Sequence, residues 1–164
     1  MRTRIKLAAL ALATIIPTAY AGTTNANFQA TASLNGACTM SVDNISFGAI
    51  TPALTGTATA TSAIKYKCSK DIAYRISITP GSGSVYERMM KGSKGEYLTY
   101  NIYTKPEINE NYIWAEGGSD NVGQVLVAKG TGTEELAPIY GFLPLNQFLT
   151  PDTYADTLIV ALSY

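Results

Sequence analysis

Short segments in which apolar and polar residues alternate are the feature that most constrains the fold of this chain. The last of them, residues 153–164, carries Leu158, Val160, Leu162 and Tyr164 on one face and the intervening residues on the other. A repeat of two residues is typical of a β-strand that buries one face. Because the sequence ends with this segment, we expect it either to pair with an earlier strand or to accept a strand from another chain.

The same alternation recurs along the chain, between turns rich in glycine, proline and small polar residues. Residues 58–68 and 73–79 are the clearest pair, and we expect them to form a hairpin around Ser69-Lys70-Asp71. Their inward-facing residues are predicted to be Ile64, Tyr66, Cys68, Tyr74, Ile76 and Ile78. About seven such strands, with no helical segment among them, predict an all-β sandwich of the immunoglobulin-like kind.

The first 21 residues have the pattern of a secretory signal peptide. A positive start with Arg2, Arg4 and Lys6 precedes a short apolar run, and Ala19 and Ala21 supply the small residues of a cleavage site. Removing 21 of the 164 residues leaves 143, enough for one domain. The remainder has nine basic against 12 acidic residues. Such a balance offers no positive surface for nucleic acid or anionic lipid.

Cysteine usage agrees with export. Cys38 and Cys68 are the only two cysteines, 30 positions apart. In an oxidising compartment such a pair predicts a disulfide, which stabilises the fold by about 3–4 kcal/mol through loop closure. A metal site is the alternative, but the chain has no histidine and two thiols alone do not complete a tetrahedral zinc shell.

The same lack of histidine argues against an enzyme. A serine or cysteine nucleophile has no imidazole base here, and the common metal-hydrolase motifs are absent from the sequence. Two carboxylate pairs remain, Glu134 with Glu135 and Asp152 with Asp156. Glycosidases use such a pair of carboxylates in catalysis. Their positions in turns and on a solvated strand face favour a structural role. We therefore predict no catalytic activity, no cofactor and no metal.

A set of motifs spread over the chain after residue 27 occurs in the order of a known family. These are Phe28-Gln29-Ala30-Thr31-Ala32, Cys38-Thr39-Met40-Ser41, Ile45-Ser46-Phe47-Gly48, Tyr66-Lys67-Cys68-Ser69-Lys70, Leu98-Thr99-Tyr100-Asn101-Ile102-Tyr103-Thr104, Trp114, Tyr140-Gly141, Leu143-Pro144 and Pro151-Asp152-Thr153-Tyr154-Ala155-Asp156-Thr157. Together they resemble the spore coat U domain family, which includes the subunits of archaic, Csu-type chaperone–usher pili.

The resemblance implies an incomplete immunoglobulin-like β-sandwich that lacks its seventh strand and is completed by a donor strand. A periplasmic chaperone would lend that strand first. At an outer-membrane usher, the N-terminal segment of a neighbouring pilus subunit would replace it. Such strand addition takes its affinity from main-chain hydrogen bonds and its register from alternate side-chain pockets.

On this interpretation the chain divides into a signal peptide (1–21), an N-terminal donor segment (22–34) and a pilin domain (35–164). The donated side chains would be Phe28, Ala30, Ala32 and Leu34. Leu158, Val160, Leu162 and Tyr164 would form the edge strand that borders the groove and pairs with the chaperone. The alternative is that residues 28–34 are the first strand of the chain's own sandwich.

The expected function is that of a shaft or minor subunit of a surface pilus that supports adhesion and biofilm formation. The protein would be exported through the periplasm, and 143 residues leave no room for a further binding domain. Two alternatives remain. One is a secreted, monomeric carbohydrate-binding sandwich in which Trp114 and surface tyrosines stack on sugar. The other is a structural protein of a spore or cyst coat.

Overall fold

The computed structural model describes residues 22–51, 55–117 and 123–164. The predicted signal peptide, residues 1–21, lies outside them. The chain divides into two units between Ser33 and Leu34. In the first unit the described residues, 22–33, are exposed and form no strand. Within the described ranges no helix is long and apolar enough to cross a bilayer.

The second unit is built of β-strands, as the alternation predicts. A single 3₁₀ turn, Glu110–Tyr112, accompanies them in the described residues. The strands are β1 (Cys38–Val42), β2 (Thr57–Cys68), β3 (Ala73–Ile78), β4 (Arg88–Gly92), β5 (Tyr97–Tyr103), β6 (Leu126–Lys129), β7 (Glu134–Pro144), β8 (Tyr154–Ala155) and β9 (Val160–Ser163). The prediction of an all-β fold is confirmed.

The strands form two sheets. One has six strands in the order β1-β2-β7-β5-β4-β8, and the other has three in the order β6-β3-β9. Every strand pairing within them is antiparallel. The core lies between their inner faces, and all six residues predicted to point inward from β2 and β3 are buried. Cys38 and Cys68 lie directly opposite each other on β1 and β2 and are joined by the predicted disulfide.

The predicted hairpin between residues 58–68 and 73–79 is wrong. β2 pairs with β1 and β7, whereas β3 pairs with β6 and β9 in the other sheet. Between them Asp71 adopts a left-handed conformation (φ 64°) and donates its N–H to the Gly130 carbonyl, 2.8 Å away. The chain thus crosses from one sheet to the other, and the apolar faces of β2 and β3 meet across the core.

Tyr66 of β2 and Tyr74 of β3 mark this contact between the sheets. Their rings lie 5.2 Å apart, and the Tyr74 hydroxyl donates to the Tyr66 hydroxyl at 3.0 Å. Burial, reinforced by this hydrogen bond, raises the pKa of Tyr66 above its ordinary value. Tyr66 therefore stays neutral through physiological pH, and its hydrogen bond with Tyr74 ties the two sheets together.

The segment predicted as one final strand is divided in two. β8 pairs with β4 in the six-stranded sheet, whereas β9 pairs with β3 in the three-stranded sheet. Residues 156–159 connect them. The predicted alternation persists, since Leu158, Val160 and Leu162 are half-buried and the residues between them are exposed.

We predict that the Tyr66–Tyr74 hydrogen bond couples the two sheets energetically. Y66F or Y74F alone leaves one buried hydroxyl without a partner and should lower the free energy of unfolding by about 1–3 kcal/mol. The double substitution removes both hydroxyls and should cost clearly less than the sum of the two. Chemical denaturation of residues 22–164 measures all three variants, and strict additivity would contradict the coupling.

Candidate functional site

Residues 43–50, which follow β1, form one wall of the candidate site, and we call them the wall segment. None of these residues belongs to a strand of either sheet. A Cβ atom placed on Gly141 would lie 2.7 Å from Ile45 Cδ1 and 2.7 Å from Phe47 Cζ. The Phe47 ring also meets the Tyr100 ring edge-on at 6.0 Å. The wall segment therefore lies over the inner face of the six-stranded sheet, in the layer that contains β9.

Strand β9 and the residues before it form the opposite wall. β9 pairs with β3 along one edge, and in the described part of the chain no strand pairs with its other edge. Leu158, Val160 and Leu162 pack against the core from this wall yet remain partly exposed. Tyr164 is 64% exposed. Of the four residues predicted as the groove edge, Leu158, Val160 and Leu162 lie on this wall, whereas Tyr164 follows β9 and lines neither cavity.

Two cavities lie along the wall segment, and the smaller one is also bounded by the β9 wall. The larger has a volume of about 520 Å³ and is bounded by residues 45–50 of the wall segment and by residues 149–154. The smaller has a volume of about 260 Å³ and lies between residues 42–45 on one side and Leu158 and Val160 on the other. The two cavities adjoin at the wall segment, and we call them together the groove.

The floor of the groove is the apolar inner face of the six-stranded sheet. Leu98 and Leu143 line the larger cavity, and Tyr100, Ile102 and Ile139 line the smaller. Several apolar side chains around the floor are only partly buried, which is unusual for residues that pack on a core. They are Ile45, Phe47, Ile50, Met90, Leu98, Leu158, Val160 and Leu162. The groove is a part of the core that the described chain leaves uncovered.

The crossing of residues 156–159 between the sheets is fixed by one carboxylate. Tyr100 donates its hydroxyl to Asp156 Oδ2 at 2.8 Å, and Ser82 donates its N–H and hydroxyl to Oδ1 at 3.1 and 3.0 Å. Burial, together with the bond to Asp156, raises the pKa of Tyr100 above its ordinary value. Asp156 therefore anchors the start of the β9 wall to the groove floor.

A buried arginine lies beside the floor, directly opposite Tyr100 on the neighbouring strand. Arg88 has no exposed surface and donates to Asn101 Oδ1 at 2.6 Å and to the Trp114 carbonyl at 2.7 Å. Burial lowers the pKa of Arg88 to about 10, so it remains charged at neutral pH. Its two terminal nitrogens also donate to the Val85 and Thr79 carbonyls, so this cation holds the scaffold together.

The residues on which the sequence-based alternatives depend have structural roles in the fold. Trp114 is 1% exposed and donates its indole N–H to the Pro138 carbonyl at 3.1 Å, so its ring has no exposed face for the sugar stacking that the carbohydrate-binding alternative requires. Asp152 accepts from the Ser93 hydroxyl at 2.8 Å, which lowers the pKa of that carboxyl. Asp152 and Asp156 both serve as hydrogen-bond acceptors within the fold. Among the described residues no group of three metal-ligating side chains is close enough to hold an ion.

The predicted donor segment presents its apolar side chains to solvent. Phe28 is 92% exposed and Leu34 is 100% exposed. Residues 22–34 carry no charged side chain. Large apolar side chains exposed together on an uncharged segment are typical of an interaction site.

The fold and the groove define the chain as an immunoglobulin-like β-sandwich that is open along one edge. It belongs to the Spore Coat Protein U domain (SCPU) family, which matches residues 24–161. This confirms the family resemblance in the sequence. No curated protein matches the chain.

One similar solved structure is a chain of the pre-assembly complex between the chaperone CsuC and the tip adhesion subunit CsuE. The complex comes from archaic chaperone–usher Csu pili of Acinetobacter baumannii. The similarity has a TM-score of 0.52 at 18% identity and covers 79% of this chain and 40% of that chain. At this level of identity the likeness is one of fold.

Sequence reasoning did not identify Gly141 as part of the groove, although the residue stands in a family motif. We predict that G141A displaces Ile45 and Phe47, because a Cβ atom at this position has no room. The free energy of unfolding of residues 22–164 should fall by about 1–3 kcal/mol, the usual cost of overpacking. The control T61V, on the exposed face of the adjacent β2, should stay within about 0.5 kcal/mol of the unmodified chain. Equal stability of G141A and T61V in chemical denaturation would contradict this packing.

Proposed function

We propose that this chain is a structural subunit of a surface pilus assembled by the chaperone–usher pathway through donor-strand exchange. The observation that carries the proposal is the coexistence of an uncovered core groove and an exposed, alternating apolar segment in one chain. Membership of the SCPU family and a fold like that of a chain in a chaperone–pilus subunit complex support it.

In this mechanism residues 28–34 of one subunit enter the groove of the next, between β9 and the wall segment. Main-chain groups of the donor pair with the free edge of β9, and the apolar side chains fill the cavities. Seven residues in extended conformation span about 23 Å, and the eight-residue wall segment would span about 26 Å at the same rise. Complete burial of Phe28 or Leu34 stabilises the complex by about 1.5–3 kcal/mol each.

The same groove gives the subunit its partners before assembly. A periplasmic chaperone lends a strand that pairs with β9 and covers the cavities until the usher presents the next subunit. Covering the groove also prevents indiscriminate pairing at an exposed strand edge. The protein then passes through the periplasm to the cell surface as a shaft or minor subunit, where the fibre supports adhesion and biofilm formation. Its role is structural, and no residue is assigned a catalytic step.

We predict that F28D blocks polymerisation and leaves chaperone capture intact. A carboxylate at this position would be buried without a partner in the neighbour's groove. The matched control is Q29D, which adds the same charge on the opposite face of the donor strand. The variants are co-expressed with the cognate chaperone, and multimers are resolved on an unboiled denaturing gel. A normal multimer ladder from F28D would show that residues 28–34 are not the donor strand.

A second prediction distinguishes the donor role of residues 22–34 from the acceptor role of the groove. Deleting residues 22–34 removes the donor strand but leaves the groove, so this variant should terminate growing chains. Adding it in increasing proportion to the full mature subunit should shorten the heat-sensitive multimers progressively. Unchanged multimer length at a tenfold excess of the deletion variant would contradict the assigned roles of the two parts.

A further inference from the structure

The groove is not uniform along its length. The larger and the smaller cavity share only three lining residues, Ile45, Met90 and Tyr154. Ile45 comes from the wall segment, Met90 from β4 and Tyr154 from β8. These three side chains lie where one cavity gives way to the other, and we call them the constriction.

Two of the three constriction residues are firmly held. The Tyr154 hydroxyl donates to the Thr150 carbonyl at 2.8 Å and to Glu96 Oε2 at 3.2 Å. A Cβ atom on Gly92 would lie 2.8 Å from Tyr154 Cε1, so the ring packs closely on the β4 backbone. Ile45 is similarly packed over Gly141. Met90 has an unbranched, flexible side chain and is the one member able to adjust.

The donor segment has a size pattern that matches this shape. Its inward-facing side chains are large at both ends, Phe28 and Leu34, and small in the middle, Ala30 and Ala32. The two large residues are six positions apart, about 20 Å along an extended strand. The pattern is large-small-small-large in either direction, so the match does not depend on the orientation of the inserted strand.

We propose that the constriction of Ile45, Met90 and Tyr154 selects donor strands with small residues at the two middle positions. This inference rests on the proposed function and adds the rule by which a groove distinguishes its proper donor from other alternating strands. Phe28 and Leu34 fill the two cavities, and the alanines pass over the narrow part. A larger side chain at position 30 or 32 would collide with Ile45 and Tyr154, which are held in place. The groove could then accept it only by displacing one of its walls.

The test measures strand exchange into an acceptor that cannot donate to itself. The acceptor is the variant lacking residues 22–34, purified as a complex with its cognate chaperone. The probe is a fluorescent synthetic peptide of residues 24–36. A30L and A32L peptides should exchange at least tenfold more slowly or less completely than the unmodified peptide. The control peptide T31L adds comparable bulk on the opposite face and should remain within about threefold of the unmodified peptide.

Acceptor variants then locate the effect. M90A enlarges the constriction and should restore exchange of the A30L or A32L peptide to within about threefold of the unmodified peptide. L145A enlarges the larger cavity just after β7, two strands from the β4 that carries Met90, and should not restore it. M90V is a milder change that serves if M90A reduces the yield of the chaperone complex. Failure of both M90A and M90V to relieve the A30L and A32L defects would overturn the assignment to this constriction.

The outcomes separate the two proposals. If the unmodified peptide does not enter the groove, the proposed function itself fails. If it enters and the A30L and A32L peptides enter equally well, donor-strand exchange stands and the size selection is wrong. If T31L is as impaired as A30L and A32L, the defect is one of general bulk, and the selection by the constriction is again wrong.

Discussion

The structure depends on an imbalance between its two sheets. Six strands present their inner face to only three, so the smaller sheet does not cover the apolar surface of the larger one. Burying apolar surface is the main favourable term in folding, at roughly 25 cal/mol per Å². The wall segment covers part of this exposed apolar surface, because it packs over Gly141. The remaining uncovered strip is the groove, which under the proposed function a single donated strand fills.

Polar anchors around the groove allow it to keep its shape without an occupant. The Gln147 side chain accepts the Thr99 N–H at 2.7 Å and donates to the Thr99 carbonyl at 2.8 Å, as a neighbouring strand would. Asp156 fixes the crossing between β8 and β9. The Cys38–Cys68 disulfide fastens β1, from which the wall segment continues. The walls are thus tied to the six-stranded sheet by hydrogen bonds and by a covalent bond as well as by apolar packing.

Much of the fold could be predicted from the sequence because alternation is a local property. It identified the inward faces of β2 and β3 and the half-buried face of Leu158, Val160 and Leu162. It did not reveal which strands are neighbours, since Tyr66 and Tyr74 point inward equally well in one sheet or in two facing sheets. Met90 and Tyr154 went unrecognised because the constriction unites residues 45, 90 and 154, and no local pattern connects positions so distant.

The register of the donor segment favours its use by another subunit. Asn35-Gly36 is a two-residue hairpin signal, and a hairpin there would pair Leu34 with Ala37, Ala32 with Thr39 and Ala30 with Ser41. On β1, however, it is Cys38 and Met40 that pack against the core. The apolar side chains of the donor segment would then lie on the outward face, since a shift of one residue reverses every side chain. In this hairpin Phe28 would lie opposite Asp43. It would not extend to the larger cavity, which is lined by the wall segment from residue 45 onward. A strand from a neighbouring subunit is free of this connection and can place the same four side chains in the groove.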